Sequence, residues 1–141
     1  MAMTMHVDIV SAEAEIFSGR ATMLFAPAVM GEVGVMPQHA PLLTKIKPGE
    51  VRVVIEGKAD EFFYVSGGML EIQPSGVTIL ADTALRADSI DEAAAIEAKE
   101  RAEKAMEDRK SDVDYAAAES ELLEAVAKLQ TIKSIKKRLG R

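Results

Sequence analysis

Residues 77–108 read VTILADTALRADSIDEAAAIEAKERAEKAMED, and the hydrophobic period changes inside that stretch. Its first residues, VTILAD, are a short run of β-branched and aliphatic side chains closed by Asp, the pattern of a strand. From Asp88 the residues are strong helix formers, with no Gly or Pro before Asp108. Ser89-Ile90-Asp91-Glu92 has the spacing of a capping box, in which the Ser oxygen accepts an early helix N–H and Glu92 reaches back. The chain is therefore read as β up to residue 87 and as α from residue 88.

Working upstream, MHVDIV, ATMLFA, VRVVIEG, EFFYVSG and MLEIQ are further short runs, each bounded by Gly, Pro, Asp or Ser. Glu56-Gly57-Lys58-Ala59-Asp60 and Gln73-Pro74-Ser75-Gly76 read as hairpin loops. Such closely spaced strands predict an antiparallel sandwich or barrel of eight to ten strands over residues 1–87. Downstream, EDRKSD interrupts the helical pattern, and Asp112 reads as a second N-cap. Leu122, Val126, Leu129, Ile132, Ile135 and Leu139 then follow at gaps of three and four, forming one helical stripe. Residues 88–141 are thus expected to form an antiparallel two-helix hairpin, giving an α+β chain. The first helix and the start of the second are rich in alanine, and each buried alanine contributes only about 1 kcal/mol or less. Such a hairpin is weakly zipped.

Composition narrows the function. The chain is 48% apolar and 28% charged, with eight Met, no Cys and two His among its 141 residues. Disulfides and thiolate metal sites are excluded, and a histidine metal site is not expected. MAMTMHVDIV lacks the features of a signal peptide, and ATMLFAPAVMG is too short to span a bilayer, so no membrane insertion is expected. The formal charge is −6, distributed unevenly. Lys128, Lys133, Lys136, Lys137, Arg138 and Arg141 share the last sixteen residues with no acid, leaving residues 1–125 at −12. A cationic tail with an apolar stripe admits three readings: a solvated helix end, a nucleic-acid or anionic-lipid site, or a grip on an acidic protein partner. The negative overall charge argues against nucleic acid and lipid.

Catalytic patterns are absent: there is no phosphate-binding glycine loop, no nucleophile elbow and no H-E-x-x-H. His39, in GEVGVMPQHAPLL, reads as a loop or strand-edge histidine making one hydrogen bond, and His6 as a structural strand residue. Ser66-Gly67-Gly68 reads as a turn rather than an anion nest. No catalytic and no metal-binding residue is expected.

GEVGVMPQHAPLLTKIKPGEVRV, followed by FFYVSGGMLEIQPSGVTILADTALRADSIDEA, resembles the epsilon subunit of bacterial F-type ATP synthase. The likeness extends to MAMTMHVDIVSAEAEIFSG and to KSDVDYAAAESEL, so it covers nearly the whole chain. It implies a ten-stranded β-sandwich followed by a helical hairpin, in a non-catalytic central-stalk subunit whose catalytic partners are the beta subunits. Proteins of this family bind the gamma subunit and rest on the c-subunit ring, at the cytoplasmic face of the bacterial inner membrane. They couple proton-driven rotation to ATP synthesis and restrain ATP hydrolysis. By resemblance, Ser11 and His39 fall where the family meets gamma, and Glu32 and the neighbourhood of His39 where it faces the c-ring.

Many relatives bind ATP at the hairpin through [IL]-D-x-x-R-A with a second Arg seven residues on. Here Asp91 and Arg101 remain, but Ala94 stands in the first Arg position, and residues 88–124 hold thirteen acids against five cations. Poor ATP binding, or none, is expected, and no cofactor. In relatives the hairpin opens and its last helix rises along gamma into the alpha–beta hexamer; 89–139 as helix would reach roughly 75 Å. The six tail cations would then face an acidic segment of beta. A passive hairpin on a coupling module, and a weak ATP-sensing hairpin, are the alternatives.

Overall fold

The computed structural model describes the backbone of residues 3–107 and 112–138, with side chains at 3–107 and 115–137. Ten strands come first: β1 (Met5–Ser11), β2 (Glu15–Ala21), β3 (Met23–Ala28), β4 (Gly31–Val35), β5 (Leu42–Ile46), β6 (Gly49–Val54), β7 (Glu61–Val65), β8 (Gly68–Gln73), β9 (Gly76–Ala81) and β10 (Ala84–Arg86). A single 3-10 turn, Ala87–Ser89, leads to helices α1 (Glu92–Glu107) and α2 (Asp112–Arg138).

The strands run β10-β7-β6-β3-β5-β8-β9-β1-β2, with β4 paired to the side of β3. The central link is thin, since β3 and β5 pair only at Ala28 and Ile46. The sheet folds there into two facing halves. Their far edges meet again where Arg86 donates to the carbonyl of Ile16, at 3.2 Å, and to Glu61, at 3.0 Å. The two inner faces form the core, Val7, Ile9, Leu70, Ile72 and Ile79 against Leu24, Val51, Val53, Phe63 and Val65. Phe17 and Phe63 meet edge-on across it with centroids 5.6 Å apart. Burial alternates along β1, β3 and β9, the period of two that made these runs readable as strands.

The pairing is antiparallel except between β1 and β9, which run parallel and need no direct connection. The Gln73–Gly76 hairpin and the Ile55–Asp60 loop lie where expected. Ser66-Gly67-Gly68 is the β7–β8 turn, with both glycines at positive φ. Gly68 is irreplaceable by geometry: at φ 138° an added Cβ would lie within van der Waals overlap of the Leu80 carbonyl and Ala81.

The hairpin differs from expectation in two details. Asp91, not Ser89, caps α1, its carboxylate accepting the N–H of Ala94 at 3.1 Å. Ser89 is still inside the 3-10 turn and donates to Asp88, while Glu92 pairs with Lys136 instead of reaching back. Asp112 begins α2, and its side chain lies outside the described residues. The apolar stripe of α2 is also less covered than its spacing implied. Leu122, Val126, Leu129, Ile132 and Ile135 are only half-buried, and Leu139 lies outside the described residues. Full burial goes to small residues, Ala118, Ala125, Ala127 and Thr131 on α2 and Ala95 and Ala102 on α1. The reason is that α2 is pressed from two directions. Ala118 and Ala125 lie seven apart on the α1 side, and Ala127 and Thr131 lie nearly opposite, toward β6 and β7. Close approach on both sides demands small side chains and leaves the larger ones at the margins.

Candidate functional site

Strand register sets out the outer face of the β5-β8-β9-β1 half. Lys45, Met69, Leu80 and Val10 stand opposite one another in one row, and Leu43, Glu71, Thr78 and Asp8 in the next. Leu43 is 63% exposed and Leu80 54%. The β3–β4 turn extends this apolar surface at one end, with Val29 and Met30 also exposed and the Val29 N–H bonded to the Lys45 carbonyl. Beside it, Asp8 accepts from Ser18 at 2.7 Å and from His6 Nε2 at 3.0 Å. The Ser18 hydroxyl above all, with His6 adding to it, holds the Asp8 carboxyl below its usual range. His6 meets both the Ser18 hydroxyl and Asp8 through one ring nitrogen, Nε2, so it is not placed to pass a proton from one to the other.

Of the candidate contact residues, Ser11 closes the β1–β2 turn, its hydroxyl accepting the N–H groups of Glu13 and Ala14. His39 donates from Nδ1 to the carbonyl of Ala40 at 2.6 Å, after a turn held by Gln38 at φ 66°. The Gln38 N–H is tied to Pro74, which puts this loop beside the β8–β9 turn. Ser11 and His39 therefore mark opposite ends of the outer face, roughly 17 Å apart by strand rise. Glu32, exposed on β4 opposite Pro27, belongs to the Ser11 end. Glu32 and His39 are not brought together.

Asp91 and Arg101 do converge. With Ala94, Glu121, Glu124 and Lys128 they line a cleft of about 480 Å³ between the two helices and β10. Its wall carries three carboxylates against two cations, and the Asp91 carboxylate is already engaged as the helix cap.

The tail cations divide. Lys128 Nζ lies 5.3 Å from the centroid of the Tyr64 ring, and Lys136 bonds Glu92 at 3.1 Å. Lys133 and Lys137 are exposed. The side chain of Arg138, and Arg141 altogether, lie outside the described residues. Tyr64 and the Glu92 partner of Lys136 were not foreseen. Strand geometry accounts for the first, since Phe63 and Val65 face the core and Tyr64 between them faces out, toward α2. Among the described residues, no group of three or more His, Asp or Glu is placed to hold a metal, and no helix is long and apolar enough to cross a membrane.

Comparison with known proteins agrees along the full length. The family model for the ATP synthase delta/epsilon chain β-sandwich domain matches residues 4–87, and that for its long α-helix domain residues 88–133. The ATP synthase epsilon chain of Nitrosococcus oceani is 64% identical over 140 residues, 99% of this chain and 100% of its own length. That of Halorhodospira halophila is 55% identical, covering 98% and 99%. The fold also matches a chain in the cryo-EM structure of the Euglena gracilis mitochondrial ATP synthase OSCP/F1/c-ring, with TM-score 0.72, 17% identity and coverage of 96% and 81%. A second match is the central stalk and c-ring of the Tetrahymena thermophila enzyme, with TM-score 0.66, 12% identity and coverage of 93% and 98%. The chain belongs to the delta/epsilon-chain family of ATP synthase, among the epsilon chains, which are non-catalytic subunits.

Proposed function

We propose that this chain works in the central stalk of a bacterial proton-translocating ATP synthase, docked on gamma through the outer face between Ser11 and His39. The Glu32 end, with Val29 and Met30 at its turn, then faces the c-subunit ring, and the complex sits peripherally at the cytoplasmic face of the membrane. One observation carries this reading: Leu43, Leu80, Val29 and Met30 are all more than half exposed on or beside one face of the sandwich. Contiguous apolar surface on a chain of this charge marks a protein–protein face. Replacing Leu43 and Leu80 by Asp should leave the fold intact, because neither is in the core, and abolish co-purification with gamma-containing F1. Retained co-purification of the folded variant would defeat the assignment.

The hairpin is proposed as the regulatory element. Docked, α2 rests on alanines; extended along gamma, its half-covered stripe and cations would meet the alpha and beta subunits and restrain hydrolysis. Lys133, Lys136 and Lys137 are exposed already, Lys136 in a solvent-facing pair with Glu92, while Lys128 is held over the Tyr64 ring until release. Reversing the charge of Lys136, Lys137 and Arg138 should weaken inhibition while assembly persists. The cleft at Asp91 and Arg101 is a poor match to a triphosphate, given its excess of carboxylates, so ATP binds weakly or not at all.

A further inference from the structure

Every other large side chain with no exposure among the described residues belongs to the sandwich core; Tyr64 does not. It stands on the opposite face of β7, between Glu50 of β6 and Leu85 of β10 in register, on the side where α2 packs against β6 and β7. The fully buried residues on the sheet-facing side of α2 are small, Ala127 and Thr131, and Tyr64 is the large, fully buried side chain that the sheet presents to them. Its ring is used, since Lys128 lies over it. Its hydroxyl is not: it is buried and has no hydrogen-bond partner. A phenylalanine would fill the same space without leaving a polar group dry.

We propose that Tyr64 sets the docking equilibrium of α2, its ring anchoring the helix through Lys128 while its unpartnered hydroxyl keeps the docked state shallow. The inference rests on the two-state reading of the hairpin and adds the residue that balances it. When α2 leaves, the hydroxyl regains water and Lys128 regains its freedom, so release is favoured by the same side chain that anchors the helix. Burial also raises the pKa of the phenol, with Glu124 adding to it, so the hydroxyl remains neutral and its cost is that of a dry donor rather than of a buried charge.

The chain has no cysteine, which permits a direct test. In the full chain, Thr131→Cys places one thiol on the buried, sheet-facing side of α2, and its labelling rate reports the undocked population. A separate Ala26→Cys chain reports opening of the sandwich core. Tyr64→Phe should slow labelling at position 131 about 5- to 30-fold, and Lys128→Gln should speed it, while position 131 continues to label faster than the core thiol. If position 131 labels faster than the core but Tyr64→Phe does not slow it, the role of Tyr64 is overturned. If position 131 labels no faster than the core in any variant, α2 leaves only on global unfolding, and the two-state reading itself falls.

Discussion

Ala94 stands where relatives that bind ATP carry an arginine, and restoring that guanidinium gives a quantitative test of the cleft. Ala94 is exposed on the wall of the cavity shared with Arg101 and Lys128, so an arginine fits without disturbing a packed side chain. A charge-assisted contact to phosphate contributes about 1.5–3 kcal/mol, equivalent to roughly 10- to 150-fold in affinity. Two terms oppose it. Glu121 and Glu124 share the wall, and like charge near a polyphosphate costs part of the gain. Lys128 is held over the Tyr64 ring, which limits its reach. Ala94→Arg alone should therefore yield weak binding, and Ala94→Arg with Glu121→Gln should tighten it about tenfold further. Titration calorimetry with ATP and magnesium on the full chain measures both. Micromolar binding by the unaltered chain would refute the reasoning, as would a double variant no better than the parent.

Other consequences follow from single contacts. Gly68→Ala should cost more than about 3 kcal/mol, because positive φ and the Leu80 carbonyl both oppose a Cβ; thermal melting should fall by roughly 10 °C or more. The raised pKa of Tyr64 means the unfolded phenol ionises first, so its contribution to stability is complete below about pH 10 and is lost as pH rises further. Lys128 and Glu124 of α2 and the neighbouring Glu50 are the charged groups around it, and Tyr64→Phe should flatten that alkaline limb in a melting series. The Lys136–Glu92 pair is half exposed and worth at most about 1 kcal/mol. Lys136→Glu should thus speed labelling of a Thr131→Cys thiol only two- to fivefold (roughly), and Glu92→Lys in the same chain should restore the rate.

The strands were legible because they are short β-branched and aliphatic runs closed by turn residues, and the hairpin because alanine-rich periodicity begins sharply after residue 87. What sequence could not supply was the direction from which each helix face is pressed. The stripe of Leu122, Val126, Leu129 and Ile132 looked like the buried side, yet alanines and Thr131 take that place, because close approach selects for small residues rather than hydrophobic ones. Asp91 replaced Ser89 as cap because the 3-10 turn takes up residues 87–89 first. Asp91 and Arg101, singled out by resemblance alone, line one cleft, whereas Glu32 and His39, close in sequence, are separated by the length of β4. Tyr64 escaped notice because FFYV is a continuous apolar run, in which nothing marks an aromatic that faces a helix instead of the core.

Hydrolysis by the reconstituted ATP synthase, with this chain intact and with it ended after Ala125, bears most directly on the proposed brake. Ending there removes Lys128, Thr131 and the tail cations while leaving the sandwich and its outer face whole. The truncated chain should still assemble, and ATP hydrolysis should rise several-fold. Equal hydrolysis by the two assemblies would show that α2 is a passenger and that the sandwich alone performs the subunit's work.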